Sequence, residues 1–133
     1  VSRRQWLVSI LLACCSAGLA DGARAQEWPE PDRETVRQYI VQRANHYGYA
    51  ASSALAIAEC ESHLDPAAYN RVSGATGVYQ WVRGGIWSST PAAAELGISI
   101  WNEYAAGNRG AWLLDVDQGV LMLASGYRSH WSC

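Results

Sequence analysis

The chain has 133 residues, 10 basic against 12 acidic side chains, a net charge of −2, half its residues hydrophobic, seven Trp, seven Tyr and no Phe. Every basic residue is Arg and only 17% of the chain is charged, so no polybasic run exists to grip a nucleic-acid backbone or an anionic bilayer. The apolar content excludes a disordered chain, and no apolar run reaches the roughly 18 residues of a membrane span, which leaves one small globular domain and no stable membrane insertion.

In chain order, Arg3 and Arg4, the apolar stretch from Trp6 to Ala20, and Ala23-Arg24-Ala25 before Gln26 have the three-part layout of a secretory signal peptide. Residues 1 to 25 are therefore set aside from the fold, and the product is expected in a periplasmic or extracellular space. Ser2-Arg3-Arg4-Gln5-Trp6-Leu7 resembles a twin-arginine signal with Trp where Phe is usual, and Leu11-Leu12-Ala13-Cys14 loosely matches a lipoprotein box with Cys14 as the lipid-bearing residue. Ordinary cleavage after Ala25 is the preferred reading.

Residues 26 to 32 form a short acidic leader, and residues 33 to 133 the domain. Asp32 offers an N-cap oxygen, Glu34 suits the first turn, Val36, Tyr39, Ile40, Ala44 and Tyr47 recur at helical spacing, and Gly48 can close the end, which predicts a helix over 33–47. A second helix is expected after Tyr49, capped by Ser52 or Ser53, because Ala54-Leu55-Ala56-Ile57-Ala58 is a strong, nearly all-apolar helix former. Asp65 and Pro66 should end it, with Glu59 and Glu61 in its last turn. The Gly-punctuated residues 66 to 85 read as loop or a small hairpin. Helices are expected again from Thr90-Pro91 to Gly97, from Ser99 to about Leu114, and from Gln118 to Ala124. The predicted class is mainly α with a small hairpin or loop region, without internal repeats, and consistent with a compact monomer.

Beyond the leader only Cys60 and Cys133 remain, and in an oxidising compartment two such thiols favour a disulfide. It would close a loop of over 70 residues and stabilise by about 4 kcal/mol. Cys60 and His63 have ligand-like spacing, but His46 and His130 do not repeat it, so no metal site is assigned.

Glu27, Glu30, Asp32, Glu34, Asp115 and Asp117 lie in polar company and read as solvated helix faces. Glu61 differs. It follows a buried helix, lies near the C-terminal end where the helix dipole disfavours negative charge, and precedes an aromatic, Gly-rich segment. Desolvation and dipole both push its pKa up, as the acid of a glycosidase requires. A structural role, pairing with Arg71 or Arg83, is the alternative.

The run Ala56-Ile57-Ala58-Glu59-Cys60-Glu61-Ser62-His63-Leu64-Asp65-Pro66-Ala67-Ala68-Tyr69-Asn70, followed by Ser73-Gly74-Ala75-Thr76-Gly77-Val78-Tyr79-Gln80, resembles the core of the soluble lytic transglycosylases and goose-type lysozyme-like proteins. Four pieces match in order: Glu-Ser at a buried helix end, Pro-x-Ala, Gly-Ala, and a Gly-x-x-Gln element. The resemblance covers about residues 45 to 133. It implies a lysozyme-like helical domain acting on peptidoglycan glycan strands without a cofactor, with Glu61 as the single catalytic acid and Ser62 supporting its geometry. It further implies substrate contacts from Gln80, from Tyr79 in the family's Met position, and from Asn70 near the acetamido group.

The family's Asp-Pro-x-x-Asn near the start of the later helix has no match at Asn102-Glu103-Tyr104-Ala105-Ala106, and Tyr127 is the nearest counterpart of its late Ala-Tyr-Asn Tyr. Trp101 and Trp112 read as core from their helical setting. Trp81, beside Gln80, reads equally as core or as a sugar-stacking face, and Trp87 and Trp131 are open to both readings. Arg71 and Arg83 read as solvated surface, with contact to the wall polymer as the alternative.

The expected activity is cleavage of the β-1,4 bond between N-acetylmuramic acid and N-acetylglucosamine. Asp65 is too near Glu61 in sequence to serve as an opposed carboxylate of the kind two-acid glycosidases use, which favours a lytic transglycosylase over a hydrolysing lysozyme. A non-catalytic wall-binding module of the same fold is the competing class, and a small disulfide-closed structural or inhibitor protein a third.

Overall fold

The computed structural model describes residues 31–82 and 91–133. The expected signal peptide, most of the leader, Arg83, Trp87 and Thr90 lie outside them. The described part is mainly helical: α1 (Arg33–Tyr47), α2 (Ala51–Ser62), α3 (Pro91–Ala105) and α4 (Ala111–Ala124), then a single 3-10 turn at Arg128–His130. Among the described residues no helix is long and apolar enough to cross a membrane.

Helix α1 begins where Asp32 Oδ1 accepts from the Thr35 amide at 2.8 Å. It ends at Gly48, whose φ of 71° lets its N–H turn back to Ala44 O. Its inner stripe, Val36, Ile40 and Ala44, is fully buried. That stripe packs against both α2 and α4, and α4 also packs against α3. Helix α2 contributes Ala54, Ile57 and Ala58 to the core, and α4 contributes Trp112, Val116, Val120 and Leu123. Small residues on α2 let α1 approach it closely over this apolar centre.

Several boundaries differ from expectation. Helix α2 starts at Ala51 with no side-chain cap, so neither Ser52 nor Ser53 caps it. It stops at Ser62 because His63 and Leu64 are both left-handed, with φ of 55° and 60°, before Asp65 or Pro66 is reached. Helix α3 continues through Gly97. The break expected at 115–117 lies instead at 106–110, where Gly107 takes φ 74° and the Asn108 amide returns to Glu103 O at 3.1 Å, a Schellman-type ending. Residues 115–117 stay helical because Asp115 turns inward and is fully buried. The expected solvated face is thereby corrected for this residue. Asp117 is not freely solvated either, since it accepts from Tyr47 OH at 2.7 Å and lies 2.8 Å from Arg43 Nε.

Residues 66–82 form two nested turns held by isolated antiparallel bridges, Tyr69 with Thr76 and Thr76 with Trp81, in place of a regular hairpin. Helix α4 passes under them at Gly119. A Cβ there would lie 2.5 Å from Tyr79 Cδ2, and Tyr79 has no room to yield because it is fully buried with its hydroxyl donating to Ala54 O at 3.0 Å.

Gly119→Ala therefore opposes two effects. Helix propensity favours Ala by about 1 kcal/mol, whereas overpacking a rigid buried ring costs about 1–3 kcal/mol. The expected net result in denaturant unfolding is a loss of stability at unchanged m-value; a gain would show that Tyr79 does not pack on α4 as described.

Candidate active site

Glu61 occupies the last turn of α2, and the two left-handed residues after Ser62 swing the chain away and leave that helix end open on one side. Ser62 itself points inward, its hydroxyl donating to Ala58 O one turn back at 3.1 Å. Glu61 borders a cleft of about 250 Å³. Asn70, Ser73 and Gln80 supply polar groups to it, Ala75 and Val82 apolar surface, and His130, Trp131 and Ser132 the wall contributed by the tail.

That last wall is set by the disulfide. Cys60 and Cys133 are bonded with their Cα atoms 5.9 Å apart, which ties the tail directly beside Glu61. Because Cys60 is committed there, no Cys60–His63 thiolate site exists. Among the described residues no cluster of three metal-ligating side chains occurs. Arg128 braces the tail from within, donating to Trp131 O at 3.0 Å and to Cys133 O. Trp131 Nε1 then reaches Tyr79 O at 2.9 Å, joining the tail to the 77–81 turn.

Two carboxyls two residues apart on α2 meet opposite environments. Glu59 keeps nearly half its side chain in solvent, and Arg33 Nη2 donates to both of its oxygens, at 2.7 and 2.9 Å, which holds it below its ordinary value. Glu61 is half-buried and forms no ion pair among the described residues. Burial pushes its carboxyl up, against the weaker opposing pull of the Cys133 backbone and Arg128. A group so placed keeps its proton to higher pH than a free Glu and can donate it to an ether oxygen entering the cleft. Of the two expected structural partners, Arg83 lies outside the described residues, and Arg71 is exposed and makes no ion pair among the described residues.

The other expected contacts divide. Gln80 and Asn70 do border the cleft. Asn70 Oδ1 accepts from the Val72 and Ser73 amides at 2.9 and 3.2 Å, so it shapes its own turn as well. Tyr79 and Trp81 do not present faces to a ligand: both are fully buried, and Trp81 Nε1 donates to Asp115 Oδ1 at 2.7 Å. In a chain without Phe these rings fill the core, which is the physical reason the expectation fails for them. Tyr127 is exposed and is not among the residues bordering the cleft; its ring tilts against that of His130, 5.4 Å between centroids. Trp112 is core as expected, whereas Trp101 is only half-buried and donates to Gly74 O at 3.0 Å. The residues not anticipated are His130, Ser132 and Ser73 at the cleft and Asp115 beneath it. The first two could have been inferred, since any partner of Cys60 brings its neighbours to Glu61.

Asn102 is exposed on α3; the polar side chain buried near the start of the later helix is Asp115 on α4. Comparison of the chain with protein-family models, with curated proteins and with solved structures gives no match.

A raised Glu61 has a defined consequence for stability. The folded state holds that proton more tightly than the unfolded chain, whose Glu titrates near 4.5. The group's favourable contribution is complete below that pH and is lost as pH rises through the folded value, so at neutral pH the ionised side chain is a liability. Glu61→Gln should be more stable than the parent at pH 7, and the gain should vanish below pH 4.5. A variant that is less stable at pH 7 in thermal unfolding would mean that the carboxylate is held by a partner.

Proposed function

We propose that this chain is an exported peptidoglycan lytic transglycosylase of lysozyme-like fold that cuts the β-1,4 bond between N-acetylmuramic acid and N-acetylglucosamine. The observation that carries it is a single half-buried carboxyl, Glu61, raised by burial in a cleft whose described lining includes Asn70, Ser73 and Gln80 and no second acid. Two-carboxylate glycosidases need a partner at roughly 5 Å for retention or about 6.5–9.5 Å for inversion. A lone acid suits a reaction in which the substrate supplies the nucleophile.

In that reaction the Glu61 carboxyl gives its proton to the glycosidic oxygen as the C1–O bond breaks, and the N-acetylglucosamine portion leaves as an alcohol. The Glu61 carboxylate then takes the proton of the muramoyl C6 hydroxyl while that oxygen closes on C1. The product is a 1,6-anhydro sugar, and the enzyme regains its proton without water or a cofactor. The order of the resemblance elements, Glu-Ser, Gly-Ala and Gly-x-x-Gln behind a signal-like leader, supports the same substrate.

Incubation of the purified protein with isolated peptidoglycan, followed by mass analysis of soluble products, tests this. Anhydro-muropeptides are expected from the parent, and Glu61→Gln should lower their rate by at least about 100-fold. Reducing-end products would assign a hydrolysing lysozyme. Binding without any product would assign a wall-binding module.

A further inference from the structure

A carboxylate with no solvent exposure must be satisfied entirely by protein donors, and the donors chosen reveal its purpose. Asp115 accepts from four groups. Val78 N lies 2.6 Å from Oδ2 and Tyr79 N 3.1 Å from Oδ1. Trp81 Nε1 lies 2.7 Å from Oδ1, and Tyr104 OH also donates to Oδ2. Three of the four belong to one turn, 77–81, and they flank Gln80 on both sides in sequence. Gly77 opens that turn at φ 91°, and a Cβ on it would collide with Asp115 Oδ2.

Gln80 is itself in an unfavourable conformation. Its φ is 55°, a value L residues with long side chains rarely hold without external constraint. Its side-chain Nε2 is committed to Gly77 O at 2.9 Å and Ala68 O at 3.3 Å. This fixes which end of the amide is which. Its Oε1 has no hydrogen-bond partner among the described residues, and Gln80 borders the Glu61 cleft. With Nε2 committed, Oε1 is the end of the amide left to accept, at a residue that lines the same cleft as Glu61.

We propose that Asp115 is a positioning residue: its buried carboxylate locks the 77–81 turn so that Gln80 Oε1 stands in the Glu61 cleft as a hydrogen-bond acceptor for a hydroxyl or amide N–H of the bound glycan. The inference deepens the proposed function and rests on it for the identity of the ligand. An acidic side chain is required because every group facing it on this turn and from Tyr104 is a donor. An Asn of the same shape would turn an NH₂ toward donors and release part of the clamp, while an apolar residue would strand all four. Burial pushes Asp115 up to about 6, with the four donors pulling the other way, so the carboxylate form prevails at neutral pH.

The test uses the full chain with Asp115→Asn, Gln80→Ala and the double variant. Cleavage kinetics on peptidoglycan are measured alongside the Gln80 side-chain amide signals in NMR spectra. Asp115→Asn should displace those signals and raise KM about tenfold, one good hydrogen bond, with kcat within threefold. The double variant should bind no worse than Gln80→Ala, because both changes remove the same contact. Multiplying effects, or Gln80 signals that stay in place in Asp115→Asn, would overturn the proposal. Trp81→Phe removes one donor and leaves the carboxylate. If Asp115→Asn does not fold, Trp81→Phe should produce a smaller displacement of the same Gln80 signals, and its absence would equally overturn it. Should the parent cleave no glycan, the proposed function falls, while the Gln80 signals still decide whether Asp115 sets that side chain.

Discussion

The fully buried Asp115 carboxylate is the constraint from which the rest of the candidate site follows. Burying a charge costs several kcal/mol unless donors replace its water, and here a backbone turn is bent around the charge to supply them. The turn can bend only because Gly77 lacks a Cβ, and it can lie down on α4 only because Gly119 lacks one. Tyr104 brings α3 to the same carboxylate, so two helices and one turn share a single electrostatic centre. The aromatic rings of the turn go inward as a result. Tyr79 meets Trp131 edge-on at 5.7 Å, and the tail is thereby joined to the same core.

Around that centre the two sides of the cleft are positioned by different means. The turn side is held by hydrogen bonds to a charge, and the tail side by the covalent link from Cys133 to the residue next to Glu61. Closing a loop with a sequence separation of 73 residues stabilises the folded chain by about 4 kcal/mol on chain entropy. The same bond brings the Cys133 backbone and Arg128 near Glu61, where they pull its carboxyl down against the upward push of burial. Glu59, two residues earlier on α2, faces outward and meets Arg33 instead. Two identical side chains thus acquire different proton affinities, one from the Arg33 pairing and the other from burial.

Much of this was legible in the residues. The Asp32 cap, the Val36-Ile40-Ala44 stripe and the Gly48 stop define α1 as found, because local chemistry and burial agree there. The apolar run before Glu61 and the pairing of Cys60 with Cys133 likewise follow from composition. Asp115-Val116-Asp117 looks like a polar break between two helices, and nothing local shows that Asp115 faces inward. The period-four row Ala111, Asp115, Gly119, Leu123 is the retrospective sign: all four are buried, and the acid sits between small residues on the core face. The resemblance puts Tyr79 toward the cleft, and Trp81 beside Gln80 reads equally as core or as a stacking face. Their direction depends on Asp115, a contact 34 to 37 positions away along the chain that no local pattern carries.

The most direct measurement is a carboxyl ¹³C NMR titration of the purified protein with the Glu61, Glu59 and Asp115 signals assigned. The expected result is a Glu61 midpoint above the ordinary 4.5, Glu59 below it, and Asp115 near 6. A Glu61 midpoint at or below 4.5, moving in step with Glu59, would contradict a protonated acid in the cleft and with it the proposed chemistry.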